Sequence, residues 1–142
     1  MEIVATLRSF GIGLTCGLRS MTGPAVVSWR AREGARLAFA ALAAGELIAD
    51  KLPATPPRTI PPALIFRALS GGYCGWRVAP ARERAPLAGA LAGAAGALAG
   101  AYGGMALRAA LVHWTGLPDP LVALAEDGVA VFGALAATRK SK

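Results

Sequence analysis

Apolar residues fall in long stretches separated by short polar, proline-containing segments, and five stretches can be drawn at 2–21, 36–52, 61–78, 86–113 and 120–138. None shows the period-two alternation of a half-buried strand, and most approach the ~20 residues with which a helix crosses a bilayer. The pattern predicts an all-α, polytopic membrane protein with about five transmembrane helices in a single domain, 1–142. The second stretch is the shortest and the fourth the longest, so tilt or mismatch is expected there.

The punctuation between stretches fits helix ends. Pro61 and Pro62 open the third stretch, Pro86 the fourth and Pro120 the fifth. Proline suits the first helical turn, whose N–H groups have no partner inside the helix. Asp119 before Pro120 reads as an N-cap. Thr22-Gly23-Pro24 reads as the stop of the first helix, and Pro53, Pro56 and Pro57 as the stop of the second.

Composition adds a packing mode. The chain of 142 residues is 55% hydrophobic and 16% charged, with mean hydropathy +0.50. That is too apolar for an ordinary soluble domain. Alanine and glycine dominate, and small residues let helices approach closely in lipid. Gly96, Gly100 and Gly104 repeat at four-residue spacing after Gly89 and Gly93. Such a ladder presents a flat face, either to another helix of the chain or to a second copy in a homo-oligomer. No basic start with a small-residue cleavage site precedes the first stretch, so no signal peptide is expected. Cys16 and Cys74 lie inside apolar stretches and read as small packing residues. They also carry an echo: Cys16-Gly17-Leu18-Arg19 matches Cys74-Gly75-Trp76-Arg77, which five alternating spans make a parallel repeat.

Net charge is +7, and its distribution argues for membrane topology over nucleic-acid binding. Basic residues lie in short loops without interleaved aromatic residues. Arg30, Arg32, Arg36, Arg77, Arg82, Arg84, Arg139, Lys140 and Lys142 fall on one side of five spans, and only Lys51 and Arg58 on the other. The positive-inside rule then places the C-terminus in the cytoplasm and the N-terminus outside.

Charges within the apolar stretches are the candidate chemistry, because ionisable groups at membrane depth are costly and mark functional sites. Glu46 and Asp50 lie one helical turn apart and share a face. Counted inward from the outer ends at ~1.5 Å per residue, they lie roughly 9 and 3 Å deep. Arg8, Arg67 and Arg108 come at roughly 7 to 9 Å, and Glu126 and Asp127 at roughly 10 to 12 Å. The seven form one expected layer in the outer half of the bilayer, which reads either as a set of ion pairs that fixes helix positions or as the lining of a polar cavity, open to the outside, that binds a small ion or polar solute. Arg67 is the expected bridge between carboxylates, since a guanidinium can serve two. Arg19 falls near the inner end of the first helix, where it is expected either to snorkel to the interface or to lie at the base of a pathway. The surplus of acid favours a cation or proton over an anion.

No nucleophile–base pair or metal-ligand spacing occurs, and the single histidine, His113, sits at a helix end beside Trp114. Neither an enzyme nor a cofactor is expected. A transporter or channel-like protein is the leading reading. A non-transporting subunit of a larger membrane complex, docked through the glycine face, is the alternative.

Three of these segments resemble the family of small bacterial membrane proteins called domain of unknown function 4126. Gly17-Leu18-Arg19-Ser20-Met21-Thr22-Gly23-Pro24 is similar to its Gly-Leu-Arg segment. Glu46-Leu47-Ile48-Ala49-Asp50-Lys51-Leu52-Pro53 is similar to its Glu-Leu-x-Ala-Asp-Lys-x-Pro signature, followed by an arginine at Arg67. Thr115-Gly116 with Glu126-Asp127 resembles its last-helix pattern, with Asp119 where that pattern has asparagine. The resemblance implies the bacterial inner membrane, with membrane lipid as its surroundings. It implies no activity.

Overall fold

A computed structural model describes residues 2–50, 52, 59–80 and 85–138; the expectations placed on Lys51, Pro53, Pro56, Pro57, Arg58, Arg82, Arg84, Arg139, Lys140 and Lys142 lie outside them. The described residues are helical with connecting turns: α1 (Glu2–Leu18), α2 (Thr22–Arg30), α3 (Arg36–Ala49), α4 (Pro61–Val78), α5 (Ala85–Thr115) and α6 (Asp119–Ala137). Four apolar stretches match α3 to α6 within three residues at either end. The first does not, because the chain turns back after Leu18 and returns as α2.

Pro24 is the reason. It is the third residue of α2, where a missing N–H costs nothing, so it opens a helix and does not merely end one. Gly23 lets the return strand of this hairpin lie against α1, because any Cβ there would strike the sulfur of Cys16.

Helices α1, α4 and α5 form the core, joined through backbones at van der Waals distance. A Cβ on Gly13 would meet the carbonyl oxygen of Gly93, and one on Gly75 that of Gly89. Gly96 faces Phe10 and Leu14, and Gly100 faces Leu14 and Gly17. The glycine ladder is therefore largely covered by α1. A second copy would need another face.

The hairpin changes the direction of α1. Gly17 packs against Ala97, Gly100 and Ala101, near the midpoint of α5, and α1 runs parallel to α5. It runs antiparallel to α4, with Ser9 Oγ donating to the Gly75 carbonyl at 3.1 Å and Arg67 reaching the Gly17 carbonyl. The Cys-Gly-x-Arg echo is thus antiparallel, not parallel. Arg8 Nε donates to the carbonyl of Ala137 at 3.3 Å, so the first and last helices bring their outer ends to the same end of the molecule. Opposite-sided termini are overturned by this contact.

The expected five spans are overturned too. Among the described residues only α5 and α6 are long and apolar enough to cross a membrane. Helix α3, with 14 residues, covers about 21 Å against roughly 30 Å of hydrocarbon. Helix α1 has 17 residues, and α4 carries Arg67 and Arg77 with two prolines in its first turn. In each apolar window of α5 and α6 only 28% of residues are buried inside the protein, unlike the mostly buried core helix of a soluble domain. Large apolar side chains such as Ile3, Leu42, Leu69, Trp114 and Phe132 are exposed. These features point to membrane association, with α5 and α6 as the candidate spans among the described residues.

Among the described basic residues outside the apolar stretches, Arg30 and Arg77 lie toward one end. Arg30 donates to the carbonyls of Thr138 and Leu135 at 3.2 and 3.3 Å, capping α6. Arg77 pairs with Glu33 in the α2–α3 turn, which also accepts the Tyr73 hydroxyl at 2.9 Å. Burial, and then the bond to Glu33 and its charge, push the Tyr73 hydroxyl above its ordinary range.

Candidate functional site

The hairpin tip, Arg19-Ser20-Met21, is a helix break in the interior, and such a break leaves backbone groups without their i→i−4 partners. Ser20 N–H and Met21 N–H leave the helix ladder, and so do the carbonyls of Gly17 and Ser20. Pro24 has no N–H with which to reach the Ser20 carbonyl. Groups left this way in a buried place must be paired from elsewhere.

All four are paired by side chains of α3 and α4. Glu46 accepts Ser20 N–H at 2.8 Å and its hydroxyl at 2.6 Å on one oxygen, and Met21 N–H at 2.8 Å on the other. Arg67 donates to the Gly17 carbonyl at 2.8 Å, and the Ser70 hydroxyl donates to the Ser20 carbonyl. Arg67 also lies 3.8 Å from Glu46. The carboxylate sits at the N-terminal end of α2, where exposed N–H groups and the helix dipole favour negative charge.

Arg19 fills the remaining side of the tip. Its guanidinium is 1% exposed, donates Nε to Asp127 Oδ1 at 2.6 Å and pairs with Asp50. The bridge between carboxylates is therefore Arg19. The expectation that placed Arg19 at the far end followed from the wrong direction for α1, while Arg67 does stand beside one of the acids expected for it, Glu46. Helices α1, α3, α4 and α6 converge here. Two arginines, Arg19 and Arg67, face three carboxylates, Glu46, Asp50 and Asp127. Of the five, the Asp50 side chain is the most open at 20% exposure.

Three more charges make a rim next to this cluster. Arg108 donates Nε to Asp119 at 2.8 Å and lies 3.6 Å from Glu126. Glu126 and Asp127, adjacent on α6, point about 100° apart and so serve different arginines. Asp119 is not the N-cap expected of it: Pro118 holds that position with no side-chain bond, and the Asp119 carboxylate is taken by Arg108. Arg8 does not join the layer. It lies by Ala137, ten residues along α6 from Asp127, about 15 Å away on the helical rise.

The backbone groups of the tip and Ser70 were not singled out from sequence. The signal for them was Pro24, four residues after Ser20, which leaves that carbonyl open. Cys16 and Cys74 are fully buried free thiols meeting under Gly23, consistent with packing roles. His113 belongs to the last turn of α5 and is exposed. Among the described residues, no cluster of three or more His, Cys, Asp or Glu could hold a metal.

No family model matches the chain, and no curated protein or solved structure matches it either.

Proposed function

We propose that the chain is a small multi-pass protein of the bacterial inner membrane that binds a small cation or polar solute at the hairpin tip and lets it pass. Crossing is assigned to α5 and α6, with the α1–α2 hairpin dipping in beside them. The observation that carries this reading is the tip itself: a broken helix, level with the middle of α5, ringed by Glu46, Asp50 and Asp127 against Arg19 and Arg67. Irregular backbone at membrane depth is tolerated where it is buried in protein or lines a water-filled cavity. Transporters place substrate sites at such helix breaks, with half-helix ends facing the bound group. One carboxylate in excess of the arginines favours a cation. Residues from each of the segments that resemble the family of unknown function 4126, namely Arg19 and Ser20, Glu46 and Asp50, Arg67, and Asp127, contribute to the tip.

A second reading has its own observation. Every charge of the tip is paired and Arg19 is nearly sealed from solvent, which suits a clamp that holds four helices in place in an accessory subunit.

Thermal unfolding of the purified protein across a series of monovalent and divalent cations separates the two. A bound cation stabilises by RT ln(1 + [L]/Kd), so the proposed site predicts a concentration-dependent rise in Tm that Asp127→Asn removes. A Tm indifferent to every cation, in wild type and variant alike, supports the clamp.

A further inference from the structure

One cavity avoids the charged tip. It is an apolar furrow of about 420 Å³ between α1, α5 and α6, floored and walled by Gly11, Gly103, Gly133, Leu107, Val129 and Ala137. A smaller hollow of about 120 Å³ continues it past Leu18, Gly104 and Leu107 toward Val122, Arg108 and Glu126. From Val122 to Ala137 the furrow follows α6 for about 22 Å at the helical rise. The volume lies in the range of small-molecule sites, and a helix ~10 Å across is too wide for it.

We infer that this furrow holds one acyl chain of an anionic phospholipid, with the phosphate at the Arg8 and Arg30 end. Its walls offer almost nothing to hydrogen-bond, so the occupant within is hydrocarbon. The two ends differ in charge. At the Ala137 end stand Arg8 and Arg30, both donating to carbonyls in the last turn of α6. At the other end Arg108 faces two carboxylates, Asp119 and Glu126, which repel a phosphate. Arg8 lies one turn before Gly11 on α1, so the cation and the furrow share a face. The α2–α3 turn adds Arg32 and Arg36 at that end, where the one acid of the turn, Glu33, is taken by Arg77, and such a basic grouping attracts anionic lipid. The inference rests on membrane association and not on the solute site.

Gly103 supplies the test, because it lines the furrow and a Cβ there meets nothing within 4 Å, so a leucine at 103 is expected to occupy the furrow. The full chain is purified in detergent and incubated with phosphatidylglycerol or phosphatidylcholine carrying the same acyl chains, and retained lipid is counted by native mass spectrometry. Wild type should retain one phosphatidylglycerol and clearly less phosphatidylcholine. Gly103→Leu should lose both with its circular-dichroism melt unchanged. Arg8→Gln and Arg30→Gln should each weaken the phosphatidylglycerol preference about fivefold. No retained lipid in wild type, unchanged retention in Gly103→Leu, or equal retention of the two lipids by wild type each overturns the inference.

Discussion

Glu46 closes the backbone of Ser20: one carboxylate oxygen on α3 accepts both the amide, at 2.8 Å, and the hydroxyl, at 2.6 Å, of the residue where α1 breaks. The second oxygen does the same for Met21. A residue 26 positions away thus replaces the helix ladder, and the hairpin depends on it.

Replacing Glu46 should therefore cost more than a surface acid would. Glu46→Ala leaves two buried N–H groups open, at about 1–3 kcal/mol each, and a loss of about 3–5 kcal/mol is expected. Glu46→Gln keeps one good acceptor and should lose roughly half of that. Denaturant unfolding in detergent measures both. Equal, sub-kilocalorie effects would show that the backbone finds its partners elsewhere.

Arg19 should resist conservative exchange. Its planar fork serves Asp50 and Asp127 together, which a single ammonium cannot reproduce. Arg19→Gln, which strands buried carboxylates, should cost about 3–5 kcal/mol, and Arg19→Lys should recover only part of it. Pairing Arg19→Gln with Asp127→Asn in a double-mutant cycle should recover a coupling of about 1–3 kcal/mol.

Glycines separate sharply by position. Gly17→Ala and Gly93→Ala drive a methyl into backbone of the facing helix, which cannot step aside, and should destabilise by about 1–3 kcal/mol or more. Gly103→Ala meets open space and should be neutral or stabilise by up to about 1 kcal/mol through helix propensity. Melting temperatures of the three variants decide this.

The thiols report on hairpin closure. Cys16 and Cys74 are 0% exposed, so a maleimide should label neither at a useful rate in the folded protein and both after unfolding. Gly23→Ala pushes against the Cys16 sulfur and should open the hairpin enough for labelling to rise at least several-fold. Unchanged protection in that variant would mean the hairpin does not rest on Gly23.

The sequence made the later helices readable and hid the hairpin. Paired prolines and long apolar runs bound α4 to the residue, because proline in a first turn has one meaning when no helix precedes it. Pro24 follows a helix directly, so it reads as a stop, although the same geometry also starts one. That single misreading inverted α1. It moved Arg19 away from Asp50 and Asp127, brought Arg8 into a layer it does not join, and put the termini on opposite sides. Apolar length alone also counted α1, α3 and α4 as spans. Glu46, Asp50, Arg67 and Asp127 nevertheless come together, because α3, α4 and α6 run in the directions that their apolar stretches gave. The glycine ladder announced a flat face, but four-residue spacing carries no information about what lies on it, and here most of it is α1.

Cation flux in proteoliposomes tests the proposed site most directly. Purified wild type should carry a monovalent cation or protons down an imposed gradient, and Asp127→Asn, which removes one carboxylate from the tip while keeping an acceptor for Arg19, should reduce that flux at least about tenfold with the fold intact by circular dichroism. Flux equal in the folded variant and wild type, or none above empty liposomes in either, would contradict the account.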